Sequence, residues 1–203
     1  METLNDDIRV FKHDFANMVN VISGYIKADD MDGLKKYFSS FEKDYSNYHN
    51  KEILNPKIIN DPGIYNLLVA KYEKAYELGI IINFEVFFDF KKLQMPIYDF
   101  SKILGILLDN AIEATNTCDK KQINLVFNEF KRQNVQIISV ENTYLDANLD
   151  LAKIFEKGTS GKSNHSGIGL WEVNRLVERN KNCILKTTND NNYFKQELQI
   201  YYK

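Results

Sequence analysis

Few residues in this chain are of the kinds that mark export, cysteine-based metal binding or membrane insertion. Only two of its 203 residues are cysteine, Cys118 and Cys183, and they match no CxxC or Cys/His spacing. That argues against a disulfide framework and a cysteine zinc site, and the pair reads as free thiols of a reducing cytosol. Three prolines and nine glycines leave no low-complexity segment. No apolar run approaches the roughly 20 residues of a membrane-spanning helix. No basic-then-apolar leader opens the chain, so it reads as a cytosolic protein or the cytosolic piece of a larger one. Charge of one sign is missing too, since 26 basic and 28 acidic residues intermix to a formal net charge of −2. A nucleic-acid surface needs a basic stripe, so no nucleic-acid partner is expected. Bulky core material is plentiful, with 13 Phe and 12 Tyr in a chain sized for one large domain or two small ones.

Leu4, Ile8, Phe11, Phe15, Met18, Ile22 and Tyr25 alternate spacings of three and four, the seam of a bundled helix. Met31, Leu34, Phe38, Phe41, Tyr45 and Tyr48 repeat it. Between the runs lies Lys27-Ala28-Asp29-Asp30, where an aspartate can cap the second helix. A two-helix hairpin alone leaves much of each stripe wet, whereas two hairpins joined as a four-helix bundle cover it. Residues 1–52 are therefore expected to dimerise. The alternative is a hairpin packed on the rest of its own chain.

With Ile8 at heptad position a, His13 falls at the outward position f and shares its face with Arg9 and Asn17. Asn17 lies one turn on, and Asp14 follows the histidine directly. An exposed helical histidine is ordinarily plain surface. In the string His13-Asp14-Phe15-Ala16-Asn17, however, each polar residue has chemistry to do. A neutral imidazole nitrogen can attack the γ-phosphorus of ATP to form a phosphoramidate. A neighbouring carboxylate can hold the other ring N–H, and an amide one turn on can position water or phosphoryl oxygens.

From about Asn55 the pattern changes. Asn55-Pro56 and Asp61-Pro62-Gly63 bracket a linker. Helices are predicted over 64–78, 97–115 and 170–179. Strands are predicted over 80–88, 122–130, 135–141, 183–188 and 194–201. The mixture, with antiparallel-looking hairpins, fits an α+β sandwich with helices on one face. Two of its features carry chemistry. The helix Ile103 to Ala114 is apolar on nearly every side yet holds Asp109, Asn110 and Glu113. Such an Asn can ligate Mg²⁺ through its amide oxygen, or all three can simply face water. The loop from Phe155 to Gly169 ends in Gly167-Ile168-Gly169 at a helix start, where backbone N–H groups and the helix dipole can meet phosphates. Lys157 and Lys162 add charge to this loop, and its small residues suit a lid. Glycines before a helix also occur for geometry alone.

Taken together, the residues resemble the sensor histidine kinase family over essentially the whole chain. Phe11-Lys12-His13-Asp14-Phe15-Ala16-Asn17 is similar to its phosphoacceptor box, Leu107 to Ala114 to its N box, and Ser166 to Leu170 to the glycine box ending its ATP lid. The subgroup resembled is the AgrC-like peptide-quorum-sensing kinases, through the Phe11-Lys12-His13-Asp14 start and the compact ATP domain. The resemblance implies a GHKL (Bergerat) α/β sandwich over residues 53–203, following a histidine phosphotransfer hairpin over 1–52 that assembles as a homodimer. It implies ATP-dependent autophosphorylation on His13, assisted by Asp14 and Asn17, and transfer to an aspartate of a response regulator. Asn110 is implied as the Mg²⁺ ligand. Asn142 is placed at adenine, where an amide offers acceptor and donor side by side. Lys157, Gly158, Gly161, Lys162, Gly167 and Gly169 are implied around ATP, and a membrane sensor domain upstream. Two positions depart from the family pattern. Ile106 stands where many relatives have a second Asn, and Glu141-Asn142-Thr143-Tyr144 where most have Asp-x-Gly. The alternative is a phosphotransfer scaffold in which His13 relays phosphate while a degenerate GHKL domain binds no ATP.

Overall fold

The structure, a computed structural model, describes residues 2–45, 58–145, 150–151, 154–155, 168–190 and 192–202. The chain divides into two compact units, Met1–His49 and Asn50–Lys203.

The first unit is a helical hairpin of α1 (Glu2–Lys27) and α2 (Met31–Tyr45). Asp29 takes a left-handed φ of 54° in the turn, and Asp30 then caps α2 by accepting from the Gly33 N–H at 2.8 Å. Gly33 leaves room for this cap, since a Cβ there would fall 2.2 Å from Asp30 Oδ2 and 2.7 Å from Tyr25 Cε1 and would displace them. The expected aspartate cap is thus present. Tyr25 meets Tyr37 across the hairpin, ring centres 5.9 Å apart. Among the described residues of the stripe, Met31 is 50% and Phe38 45% exposed. The hairpin is present; a four-helix bundle is not part of a single chain.

Near the start of the described residues of the second unit, Ile59 is buried in the core. Helix α3 (Pro62–Glu77) starts where the expected turn signals stand, with Pro62 in its first turn and Asp61 accepting from Ile64 N–H at 2.9 Å. Gly79, at φ 69°, lets the chain leave α3 and enter β1 (Ile81–Val86). A short 3₁₀ turn, Phe90–Lys92, leads to α4 (Ile97–Thr115). Then come β2 (Gln122–Phe130), β3 (Val135–Thr143), α5 (Gly169–Arg179), β4 (Cys183–Asp190) and β5 (Tyr193–Tyr201).

The five strands form one sheet in the order β1-β2-β3-β5-β4. Strands β1 and β2 are parallel, and α4 supplies the crossover that a parallel pair requires. The other pairings are antiparallel. The α+β sandwich therefore stands as expected. Strand β3 runs two residues further than the sequence suggested, because Asn142 pairs with Ile123 and Phe194, and Thr143 with Tyr193. Polar residues ended the sequence-based strand at Glu141, but the ladder carries on through them.

One sheet face is dry and the other wet. Ile123, Leu125, Phe127, Ile138, Val140, Leu198 and Ile200 join Ile103, Leu104, Leu107, Leu108, Ala111 and Ile112 of α4 in a single core. The rings of Phe88, Phe90, Phe100 and Phe127 close one end of it. On the outer face, Asn83 donates to Asn124 and Asn124 to Glu141, each at 2.8 Å.

Candidate nucleotide site

Helix α4 organises the site because it has neighbours on nearly every side. Its sheet face carries the core, α3 approaches at Gly105, where a Cβ would lie 3.7 Å from Leu67, and α5 approaches at Ile106. At that last approach Gly169 opens α5. A Cβ there would stand 3.3 Å from Ile106 Cγ2, 3.8 Å from Asn110 Oδ1 and 4.0 Å from Asn110 Nδ2. The fold thus brings together two of the expected site residues, Asn110 and Gly169, which lie far apart in sequence. The Asn110 amide nitrogen is buried with no hydrogen-bond partner among the described residues. A buried amide nitrogen left unpaired beside a helix start calls for an explanation, and an arriving ligand is one.

Two clamps hold α5 in place. Lys102 Nζ reaches Glu172 at 2.5 Å. That hydrogen bond to Glu172 is the main reason the lysine's pKa is raised, and burial opposes it. Towards the other end, buried Asp99 accepts from Arg179 Nε at 3.2 Å, from a second Arg179 nitrogen, and from Asn180 Nδ2 at 2.8 Å. The contacts 106 with 169, 102 with 172 and 99 with 179 run in opposite directions along the two helices, so α4 and α5 are antiparallel. Asp109 is committed elsewhere, to Lys71 at 2.7 Å and Lys74 at 3.1 Å on α3. Of the two groups side by side on α4, only the Asn110 amide is left facing α5.

The start of α5 suits an anion. Ile168 precedes it and makes no side-chain cap hydrogen bond, and such a terminus directs its first-turn N–H groups outward. Lys157, Gly158, Gly161, Lys162 and Gly167 lie outside the described residues. Among the described residues no group of three His, Cys, Asp or Glu could hold a metal. A cation here would rest on the Asn110 amide oxygen and on oxygens of its ligand, a donor set that suits Mg²⁺. Asn142 sits near the end of β3, 2% exposed, on the helix-facing side with Ile138 and Val140. Its Nδ2 donates to Thr143 O at 2.8 Å, which leaves the carbonyl end of the amide for a ligand. Thr115, at the end of α4, donates to the same Thr143 carbonyl at 3.4 Å.

His13 belongs to the other unit, on an exposed face of α1. Asn17 Nδ2 lies 3.2 Å from His13 Nδ1. With the amide nitrogen facing it, Nδ1 accepts and the ring proton sits on Nε2. With the amide turned, Asn17 Oδ1 accepts from Nδ1–H and Nε2 carries the lone pair. The Asp14 side chain, the expected tautomer holder, lies outside the described residues, as do His49 and His165.

Sequence reasoning missed the residues that fix α5. Asp99 sits among the apolar residues opening α4, and its partners lie about eighty residues on, a separation that gives no local signal. Gln196 left a visible one. It is a polar residue at an inward position of the alternation Phe194, Gln196, Leu198, Ile200.

Comparison with known proteins bears on the family and the fold. The family described as GHKL domain matches residues 95–201. Sensor histidine kinase CitA of Klebsiella pneumoniae is 30% identical over 192 residues, covering 91% of this chain and 34% of that protein. Sensor protein CitS of Halalkalibacterium halodurans is 26% identical over 180 residues, covering 85% of this chain and 32% of that protein. The chain thus spans about a third of the length of the curated relatives it matches. Among solved structures, the catalytic domain of histidine kinase ThkA has the same fold, with a TM-score of 0.57 at 22% identity over 68% of this chain and 90% of that one.

Proposed function

Because the chain belongs to the GHKL domain family, we propose that it is the kinase core of a sensor histidine kinase. It takes the γ-phosphoryl group of ATP onto His13 and passes it to an aspartate of a response regulator. The observation that carries this reading is the meeting of Asn110 and Gly169, which sets an amide with a buried, unpaired nitrogen against the start of α5. Phosphates fit the helix start, and Asn110 would hold Mg²⁺ through its amide oxygen. The ion, when bound, supplies neutralisation of phosphate charge. Asn142 takes adenine, and Lys157, Gly158, Gly161, Lys162 and Gly167 close over the nucleotide.

In the transfer itself, the lone pair of His13 Nε2 forms the N–P bond as the bond from phosphorus to the ADP oxygen breaks. ADP leaves with that electron pair, and the proton on Nδ1 is released to leave a neutral-ring phosphoramidate. Asn17, turned so that Oδ1 accepts from Nδ1–H, selects the reactive tautomer, and Asp14 beside it stabilises the positive charge that develops on the ring. Residues 1–52 form the phosphotransfer hairpin and 53–203 the ATP domain. The exposure of Met31 and Phe38 on the hairpin supports a homodimer. A membrane sensor domain upstream accords with the greater length of the relatives named as sensors. Among the described residues no helix is long and apolar enough to cross a membrane. Placement within the peptide-quorum-sensing subgroup rests on the Phe11–Asp14 start and the compact ATP domain alone, and the two curated relatives bear other names.

Asn110→Ala tests the reading. It removes one amide from the edge of the core, so the thermal unfolding midpoint stays within about 3 °C of wild type, while phosphorylation from Mg²⁺-ATP is abolished. Phosphorylation retained by a folded variant rejects the role. A wild-type chain that binds no ATP favours the phosphotransfer scaffold instead.

A further inference from the structure

Beyond Asn110, two of the buried polar atoms that lack a partner among the described residues are neighbours. They are Gln196 Nε2 and Thr187 Oγ1. Thr187 and Gln196 stand directly opposite each other in the β4–β5 pair. Both lie on the helix-facing side, in the alternations that contain Leu185 on one strand and Leu198 and Ile200 on the other. Gln196 is only 2% exposed. A primary amide so deep in an apolar layer, with its nitrogen unpaired, is a costly arrangement unless something arrives to accept from it.

The register shows what can arrive. Gln196 pairs with Val140 on its other side, and Asn142, two residues along from Val140, pairs with Phe194. Asn142 and Gln196 are therefore diagonal neighbours on one face, roughly 7–8 Å apart with their Cβ atoms somewhat closer, within joint reach of one planar base. Asn142 has its nitrogen tied to Thr143 O and offers an oxygen. Gln196 offers a nitrogen. An acceptor beside a donor matches the 6-amino group and the ring N1 of adenine. Guanine presents the opposite pair, a 6-oxygen and an N1–H. The 6-amino/N1 edge is also farthest from N9, through which the ribose and phosphates must lead back to Asn110 and the start of α5.

We infer that Gln196 is a base-reading residue, whose Nε2 donates to N1 of adenine beside Asn142, with the Thr187 hydroxyl bordering the same spot. This rests on the reading that the domain binds ATP, and it adds the source of base selectivity. The rival occupant is a structural water bridging Gln196 and Thr187.

Equilibrium binding of ATP, GTP and 1-deaza-ATP, in which N1 is replaced by C–H, to the full chain separates these cases. Wild type should bind ATP about tenfold more tightly than 1-deaza-ATP, and more tightly than GTP. Gln196→Met, which keeps length and loses the donor, should lose that factor for ATP and bind 1-deaza-ATP as wild type does. Equal wild-type affinity for ATP and 1-deaza-ATP overturns the inference whether or not the variant folds. So does a folded Gln196→Met that keeps full ATP affinity, as a bridging water requires. A wild-type chain that binds 1-deaza-ATP and ATP alike loses only this inference, while one that binds neither loses the ATP reading as well.

Discussion

Replacing Asp99 by alanine tests how the start of α5 is held over Asn110. Helix α5 has 11 residues and is about 16 Å long, so the Asp99 contacts grip the end remote from Gly169. The Asp99 side chain is 4% exposed, and its loss removes the carboxylate that Arg179 and Asn180 share. Breaking a buried pair costs about 3–5 kcal/mol. Two facts lower that figure. The Arg179 side chain is 59% exposed and rehydrates, and Asn180 keeps its bond to Leu176 O at 2.8 Å. The expected loss is about 2–3 kcal/mol, or roughly 5–10 °C in unfolding midpoint for a unit of this size. Urea unfolding followed by Trp171, the single tryptophan and itself on α5, reads it directly, with the midpoint lowered and the slope kept. Asp99→Asn should lose less, because it retains one acceptor for Asn180. A loss under about 0.5 kcal/mol, the scale of a surface pair, would refute the claim that this clamp holds α5.

Two other perturbations probe the assembly and the sheet. Phe38→Glu puts a charge into the open stripe of the hairpin, so a wild-type dimer in light scattering should become a monomer; a monomeric wild type contradicts the dimer. Tyr202 is pushed up to about 12, first by burial and then by its hydrogen bond to Glu129. Its folded pKa lies above the ordinary tyrosine value of about 10, so its contribution is complete below pH 10 and lost as pH rises towards 12. Tyr202→Phe should flatten that alkaline fall in the urea midpoint, and an unchanged fall assigns it to other groups.

The sequence was most legible where the pattern was local. The apolar helix 97–115 and the Gly79 exit are each decided within a few residues and stand in the structure, whereas α3 starts at Pro62, two residues before the Ile64 start read from the sequence, because Asp61 caps it. The hairpin turn was readable for the same reason, since Asp30 caps the helix that begins beside it. Asn110 and Gly169 were nameable separately, but their contact depends on Asp99, Lys102 and partners some seventy to eighty residues later. No periodicity encodes such a pairing. The polar end of β3 was cut short for a different reason. Asn142 is a poor strand former whose ladder partners, Ile123 and Phe194, outweigh propensity, and Thr143 beyond it pairs with Tyr193.

Transfer of labelled phosphate from ATP to the chain's three histidines is the most direct test of what the protein does. His13 lies on an exposed helix face with Asn17 against its ring, Asp14 follows it, and His49 and His165 have no such neighbours in sequence. Labelled Mg²⁺-ATP should leave an acid-labile, base-stable mark, as a phosphoramidate does. That mark should vanish in His13→Gln and persist in His49→Gln and His165→Gln. A mark that survives in His13→Gln, or one stable to acid, contradicts both the site and the chemistry.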